Sequence, residues 1–216
     1  MFADTYLPNR QIRYNFDMGA ARKARVAILV GTHGRGSNMA AIADACANGE
    51  IPAVVAVVVA PSEAAPAAEV ARSKGLDVAV IPYKVEDYAV DLMKVLTAKR
   101  CDLLCLAGFM RLLPEEVLGA FPDRILNIHP ALLPKHGGKG MYGMHVHEAV
   151  LAAGDKESGC SVHLVNERYD EGRVIFQLRC PVEAEDTPET LAARVLELEH
   201  RAYPAAIGQV ISRDER

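Results

Sequence analysis

Five apolar runs, at residues 25–30, 53–60, 78–81, 102–107 and 125–129, constrain the fold of this chain more than any other feature, and the first four alternate with stretches of helical periodicity. Residues 53–60 contain only Ala and Val. A strand without a polar face has to be covered on both sides, and strand–helix alternation supplies the cover, so the pattern predicts a parallel sheet between two helical layers. The helices are predicted over 39–48, over 64–74 with Gly75 as the stop, and over 86–99, where Tyr88, Leu92, Val95 and Leu96 form one stripe.

The second half changes character. Residues 161–165 and 174–177 read as strands around the polar turn Tyr169-Asp170-Glu171-Gly172, which makes a hairpin-like unit rather than another crossover. The last helix is well signed, with Thr187 as cap, Pro188 at its first position and Leu191, Val195 and Leu198 toward the core. Pro204 is expected to kink or end it. The predicted class is α/β: a Rossmann-like, mostly parallel twisted sheet flanked by helices, with an antiparallel element in the C-terminal half. An N-terminal arm at 1–24 precedes a single domain at 25–216.

Composition excludes several functions. The net formal charge is −4 with 24% charged residues and no basic run, so a nucleic-acid backbone has no electrostatic footprint here. No apolar run approaches a membrane span of about 18 residues. Residues 1–24 carry Asp4, Arg10, Arg13, Asp17 and Arg22 without a signal-peptide core, so a cytoplasmic location is expected. The five cysteines, Cys46, Cys101, Cys105, Cys160 and Cys180, include no CxxC pair and read as small core residues of a reduced compartment; no metal is expected. Small-molecule substrates and a monomer or homodimer complete the expectation.

In such a sheet ligands bind beyond the carboxyl ends of the strands, and two polar segments fall there. Gly31-Thr32-His33-Gly34-Arg35-Gly36-Ser37-Asn38 joins the first strand to a helix start, where free N–H groups and the helix dipole favour an anion. The dinucleotide fingerprint fails, because Met39 occupies the third small position and Val59-Ala60-Pro61 lacks the ribose-binding acid. The lysine of a nucleotide P-loop is also missing, which leaves a phosphate monoester or an ordinary tight turn. At the end of the fifth run, Asn127 and His129 lie two apart on one strand face, with Pro130 stopping the strand just where they emerge. An amide beside an imidazole suits a developing oxyanion; the alternative is a strand end capped by polar residues.

Several of these segments together resemble the glycinamide ribonucleotide formyltransferases of purine biosynthesis, over about residues 26–211. The resemblance is carried by Gly36-Ser37-Asn38, Leu106-Ala107-Gly108-Phe109-Met110-Arg111-Leu112-Leu113, Asn127-Ile128-His129-Pro130 with Leu132-Leu133-Pro134, Ser161-Val162-His163, Tyr169-Asp170-Glu171-Gly172, and Glu199-His200 before Tyr203-Pro204. It implies a formyltransferase fold and transfer of a formyl group from 10-formyltetrahydrofolate, as co-substrate, to the glycine amine of a ribosyl 5-phosphate. It makes Asn127, His129 and Asp170 the catalytic trio and Gly36, Ser37 and Asn38 the phosphate cradle, and it has Glu199 contact the amine substrate. Met110, Arg111, Leu112 and Leu113 form a backbone rim for the folate, which Asn127 and Lys84 also contact, and the turn at 165–170 completes the pterin pocket. Residues 25–107 then form a phosphate-binding half and 108–216 a folate-binding and catalytic half.

The chemistry accounts for these residue types. An amine attacking a formyl carbon creates a tetrahedral centre with a negative oxygen, for which Asn127 and a protonated His129 offer donors. Asp170 is expected to raise the His129 pKa, fix its ring and relay the amine proton. His163 reads as a buried, hydrogen-bonded strand residue, and Glu199 has the alternative of a solvated helix charge. Three features depart from the common pattern: Glu171 in place of a glycine, Leu196 in place of a glutamine, and the long loop at 136–143, which is either a lid or a surface loop. Formyltetrahydrofolate hydrolases and methionyl-tRNA formyltransferases share the core but add domains for which this length leaves no room. A nucleotide- or folate-binding module and a nicotinamide oxidoreductase are the remaining alternatives.

Overall fold

The computed structural model describes residues 22–84 and 86–212; the expected arm at 1–24 lies almost wholly outside them. The apolar runs become β1 (Ala24–Val30), β2 (Ala53–Ala60), β3 (Val78–Val80), β4 (Leu103–Ala107) and β5 (Ile125–His129), followed by β6 (Glu157–Leu164) and β7 (Val174–Pro181). They form one seven-stranded sheet in the order β3-β2-β1-β4-β5-β6-β7. Pairing is parallel from β3 to β5 and antiparallel where β6 joins β5 and β7 joins β6. The Rossmann-like expectation and its antiparallel C-terminal element both hold.

Helices α1 (Ser37–Ala47), α2 (Pro66–Ser73) and α3 (Tyr88–Ala98) lie where periodicity put them, within a few residues. Two short helices were not anticipated: α4 (Glu115–Ala120) and α5 (Met144–Ala152). The central strands β1, β2 and β4 are buried on both faces, as their composition requires, whereas the edge strands β3 and β7 are only partly covered. Val26, Ile28 and Val30 of β1 join one core with Met39 and Ile42 of α1 and Tyr203 and Ile207 of the last helix. Ala27 and Leu29 join the other with Leu92 and Leu96 of α3 and Val117 of α4.

The chain builds outward through β2 and β3, then returns to lay β4 on the other side of β1, so the topological switch lies between β1 and β4. There the backbones nearly touch: a Cβ on Gly31 would sit 2.0 Å from the carbonyl oxygen of Gly108, so this crossing admits only glycine. The crevice it leaves is where a doubly wound sheet binds its ligands.

The last helix, α6, spans Pro188–Ile211, with Thr187 and Thr190 forming a reciprocal cap at its start. Of the two outcomes expected at Pro204, a kink or an end, the end does not occur: the proline lies inside the helix. Ala202, Tyr203, Ala206 and Ile207 around the proline are fully buried, and their packing outweighs one lost backbone hydrogen bond. The Tyr203 hydroxyl lies 2.9 Å from the carbonyl oxygens of both Leu106 and Leu126, so α6 is tied to β4 and β5.

Candidate active site

Asn127 and His129 are held by β5, and the register with β6 sets Asn127 opposite His163 and His129 opposite Ser161. Four polar side chains therefore face one way across an otherwise apolar strand pair. Ser161 is fully buried and fixes the turn after β5. Its Oγ donates to the Ala131 carbonyl at 2.6 Å and accepts from the Leu133 N–H at 3.0 Å and from Gln177 Nε2 at 2.8 Å. These bonds fix the chain just after the strand end that carries Asn127 and His129.

His163 Nδ1 donates to the Leu164 carbonyl at 2.8 Å, which turns Nε2 toward the Asn127 amide, with Nδ2 3.1 Å away. The expected buried strand histidine is found, and it also orients the Asn127 amide. The second Nδ2 hydrogen points toward Asp170 Oδ1 at 3.5 Å, the outer limit of a hydrogen bond. That weak contact is the one a stronger acceptor would displace.

Asp170 comes from the turn between β6 and β7 and has a left-handed backbone, φ 58°. Its carboxylate meets the His129 ring at Nδ1, 3.5 Å from Oδ2, and His163 Nε2, 3.5 Å from Oδ1, while the Gly138 N–H donates to Oδ2 at 3.0 Å. Burial pulls its pKa up, but the His163 contact and the Gly138 N–H work against burial, and the carboxyl lies below the usual carboxylate range. Asn127, His129 and Asp170, separated by 43 residues in sequence, do converge.

One expectation is corrected. Asp170 does push the His129 pKa upward, as does the His136 carbonyl, yet burial of a ring only 4% exposed lowers it by more, and the result lies below the ordinary histidine value. His129 is therefore neutral near pH 7. Its single proton is located by geometry: Nε2 is 2.7 Å from the His136 carbonyl oxygen, which can only accept, so Nε2 carries the hydrogen and Nδ1 faces Asp170 bare. In this arrangement Nδ1 can take a proton that Asp170 then stabilises.

The phosphate-cradle candidates lie at the start of α1. Gly36 is left-handed, φ 79°, and a Cβ there would approach Ala67 to 3.0 Å. No side chain caps α1, which leaves its first N–H groups to an anion. Asn38 Nδ2 donates to Glu199 Oε2 at 2.6 Å, and Asn38 Oδ1 is buried without a partner. Glu199 is not a solvated charge: it is 8% exposed, and burial pushes its pKa up to about 7 despite the Asn38 bond.

A measurable consequence follows from the sign of that shift. A raised carboxyl pKa favours folding below the ordinary value near 4.5, and this contribution is lost as pH rises through about 7. Glu199→Gln is expected to unfold like the parent at pH 4.5 but to be more stable at pH 8.5, by on the order of 3 kcal/mol. Urea melts at the two pH values check this; equal stability at pH 8.5 would contradict the assignment.

The folate-rim candidates line a cleft on the other side of the trio, bounded by Arg111, Leu112 and Leu113, by Asn127, and by Val165 and Asp170 of the β6–β7 connection. Met110 and Leu112 are about half exposed, unusual for apolar residues that have no ligand to cover. The Arg111 guanidinium lies 5.0 Å from the Tyr83 ring, which packs edge-on against Phe109. Lys84, next to Tyr83, is exposed and lies outside the cleft lining. A larger cavity of about 380 Å³, behind the loop at 136–143, contains none of the trio.

Sequence reasoning missed Ser161, His136 and Gly138. Ser161 had a signal, since it stands two before His163 in an apolar strand; the backbone groups of His136 and Gly138 had none. Among the described residues no cluster of His, Cys, Asp or Glu could hold a metal, and no helix is long and apolar enough to cross a membrane. All five cysteines are free.

Comparison with known proteins gives the family. The formyl transferase family model matches residues 24–207. Phosphoribosylglycinamide formyltransferase of Haemophilus influenzae is 35% identical over 85% of each chain. The chloroplastic enzyme of that name from Arabidopsis thaliana is 43% identical over 88% of this chain, which spans 66% of that protein's length and 59% of its Vigna unguiculata counterpart. The crystal structure of glycinamide ribonucleotide transformylase 1 from Symbiobacterium toebii superposes with a TM-score of 0.81, at 39% identity over 94% of both chains. The chain belongs to the formyl transferase family.

Proposed function

We propose that this chain transfers a formyl group from 10-formyltetrahydrofolate to the amine of 5-phosphoribosylglycinamide, the formylation of de novo purine biosynthesis. The observation that carries the reading is the meeting of Asn127, His129 and Asp170 between an uncapped helix start and an apolar-rimmed cleft. Family membership supports both the reaction class and the folate co-substrate.

The residues divide the work as follows. The phosphate sits on the N–H groups of Gly36, Ser37 and Asn38, and Glu199 beside Asn38 meets the amine substrate. The pterin lies against the backbone of Met110, Arg111, Leu112 and Leu113 and under the 165–170 turn, with Lys84 at the outer end of the folate. As the amine attacks, the formyl oxygen displaces the long Asn127–Asp170 contact and takes the Asn127 N–H. The amine proton passes to His129 Nδ1, or to Asp170 through water. On the His129 route the imidazolium keeps its Nε2 hydrogen on the His136 carbonyl, so its Nδ1 hydrogen, beside Asp170, is the one offered to the oxyanion and then delivered to the departing folate nitrogen. No step requires a metal. The division into a phosphate-binding half at 25–107 and a folate-binding and catalytic half at 108–216, a monomeric or homodimeric state and a cytoplasmic location complete the proposal.

The test is absorbance on formyl release from a 10-formyl-dideazafolate analogue. Turnover is expected only when phosphoribosylglycinamide is also present. Release with the folate analogue alone would make the chain a hydrolase instead.

A further inference from the structure

The loop at 136–143 is bonded to both His129 and Asp170. The His136 carbonyl accepts the His129 Nε2 hydrogen at 2.7 Å, and the Gly138 N–H donates to Asp170 at 3.0 Å. A Cβ on Gly137 would meet Leu133 Cδ2 at 2.5 Å and Asp170 Cβ at 3.2 Å, so the loop is pressed against the site with no side chain between. The other end of His136 is also held. Its Nε2 donates to Asp155 Oδ2 at 2.8 Å, and Asp155 Oδ1 accepts from Lys135 at 2.9 Å. His136 has φ 53°, a left-handed conformation that is disfavoured for a non-glycine residue and persists only where its surroundings fix it. Here the two bonds, one from the main chain and one from the ring, do so.

We propose that His136 is a positioning residue for His129: anchored through its ring on Asp155, it holds its carbonyl against Nε2 and thereby reserves Nδ1, the nitrogen facing Asp170, for proton exchange. The proposal rests on the formyl-transfer reading for its kinetic consequence, though not for its structural one. Without the anchor, neither a left-handed backbone nor three nearby glycines would keep the carbonyl in place. The His129 ring would then be free to put its one hydrogen on either nitrogen, and a ring with Nδ1–H bonded to Asp170 has no lone pair there to receive the amine proton. A loosened catalytic group typically costs about 10- to 100-fold in rate.

The test uses Asp155, which touches neither His129 nor Asp170, in place of the strained His136. Imidazole ¹⁵N spectra of the full chain report which nitrogen of His129 is protonated, the signal being assigned by its absence from a His129 variant. The parent is expected to show the Nε2–H form. Asp155→Ala is expected to show a mixture of the two neutral forms and a kcat about 10- to 100-fold lower, with KM for both substrates unchanged. Asp155→Asn, which keeps an oxygen for the His136 N–H, is expected to recover the Nε2–H form and most of the rate. An Asp155→Ala protein with a parental His129 spectrum overturns the proposal, whether or not its rate has fallen. If the parent does not transfer formyl groups at all, the functional reading fails, while the spectra still decide the role of His136.

Discussion

Asp170→Asn is expected to lower kcat by about 10³- to 10⁴-fold in a chain that folds normally. The fold should survive because asparagine is the residue that best tolerates the left-handed backbone at this position, φ 58°, and its side-chain oxygen can still accept from the Gly138 N–H. The rate should not survive, because the negative charge is what makes a second proton on His129 affordable. The buried ring already has a depressed pKa, and Asp170 supplies the largest opposing influence. Removing a carboxylate that stabilises a transient imidazolium costs about 10⁴-fold in a serine-protease triad, which sets the scale. Circular dichroism together with steady-state kinetics checks both halves of the expectation. A variant within 10-fold of the parent would exclude Asp170 from the chemistry.

His129→Ala is expected to be comparably damaging, and to destabilise the protein as well. It removes a donor to the oxyanion, typically worth about 100- to 1000-fold, and a proton carrier, typically worth about 100- to 10,000-fold. Because the two roles belong to one ring and one step, they do not multiply, and a loss of about 10⁴-fold is expected. Asn127→Ala removes only a donor and should fall nearer 100- to 1000-fold. The stability cost of His129→Ala comes from the His136 carbonyl, left buried without its donor, at about 1–3 kcal/mol. The parent enzyme also carries a pH signature. Since burial lowers the His129 pKa and the neutral ring is the reactive form, the acid-side decline of kcat should be centred below the pH at which an ordinary histidine titrates. A decline beginning above pH 7 would mean that Asp170, not burial, governs the ring.

The sheet was legible because its strands are apolar throughout, which in a parallel sheet is a requirement rather than a preference. The Asn127 and His129 pair was legible because strand periodicity puts them on one face. Asp170, 41 residues beyond His129, was reachable only through family resemblance, since nothing in a Tyr-Asp-Glu-Gly turn says which strand end it will fold against. What the sequence did not carry was the outcome of competing influences. The net direction of the His129 pKa depends on how deeply the ring is buried, which is a property of the whole sheet. The continuation of α6 past Pro204 depends on the core around Tyr203, which outweighs a strong local signal. The loop at 136–143 acts on the site through a carbonyl and an N–H, groups every residue possesses, so composition cannot distinguish it from a surface loop.

The Tyr203 hydroxyl bridging β4 and β5 has a consequence for how the molecule comes apart. Those two strands lead into the proposed folate rim and carry the Asn127–His129 pair, while the same helix, four residues earlier, presents Glu199 to Asn38 of the proposed cradle. Detaching α6, for instance by proteolytic nicking between β7 and Thr187, would therefore unseat both substrate halves in one event, and affinity for the two ligands should vanish together instead of in sequence.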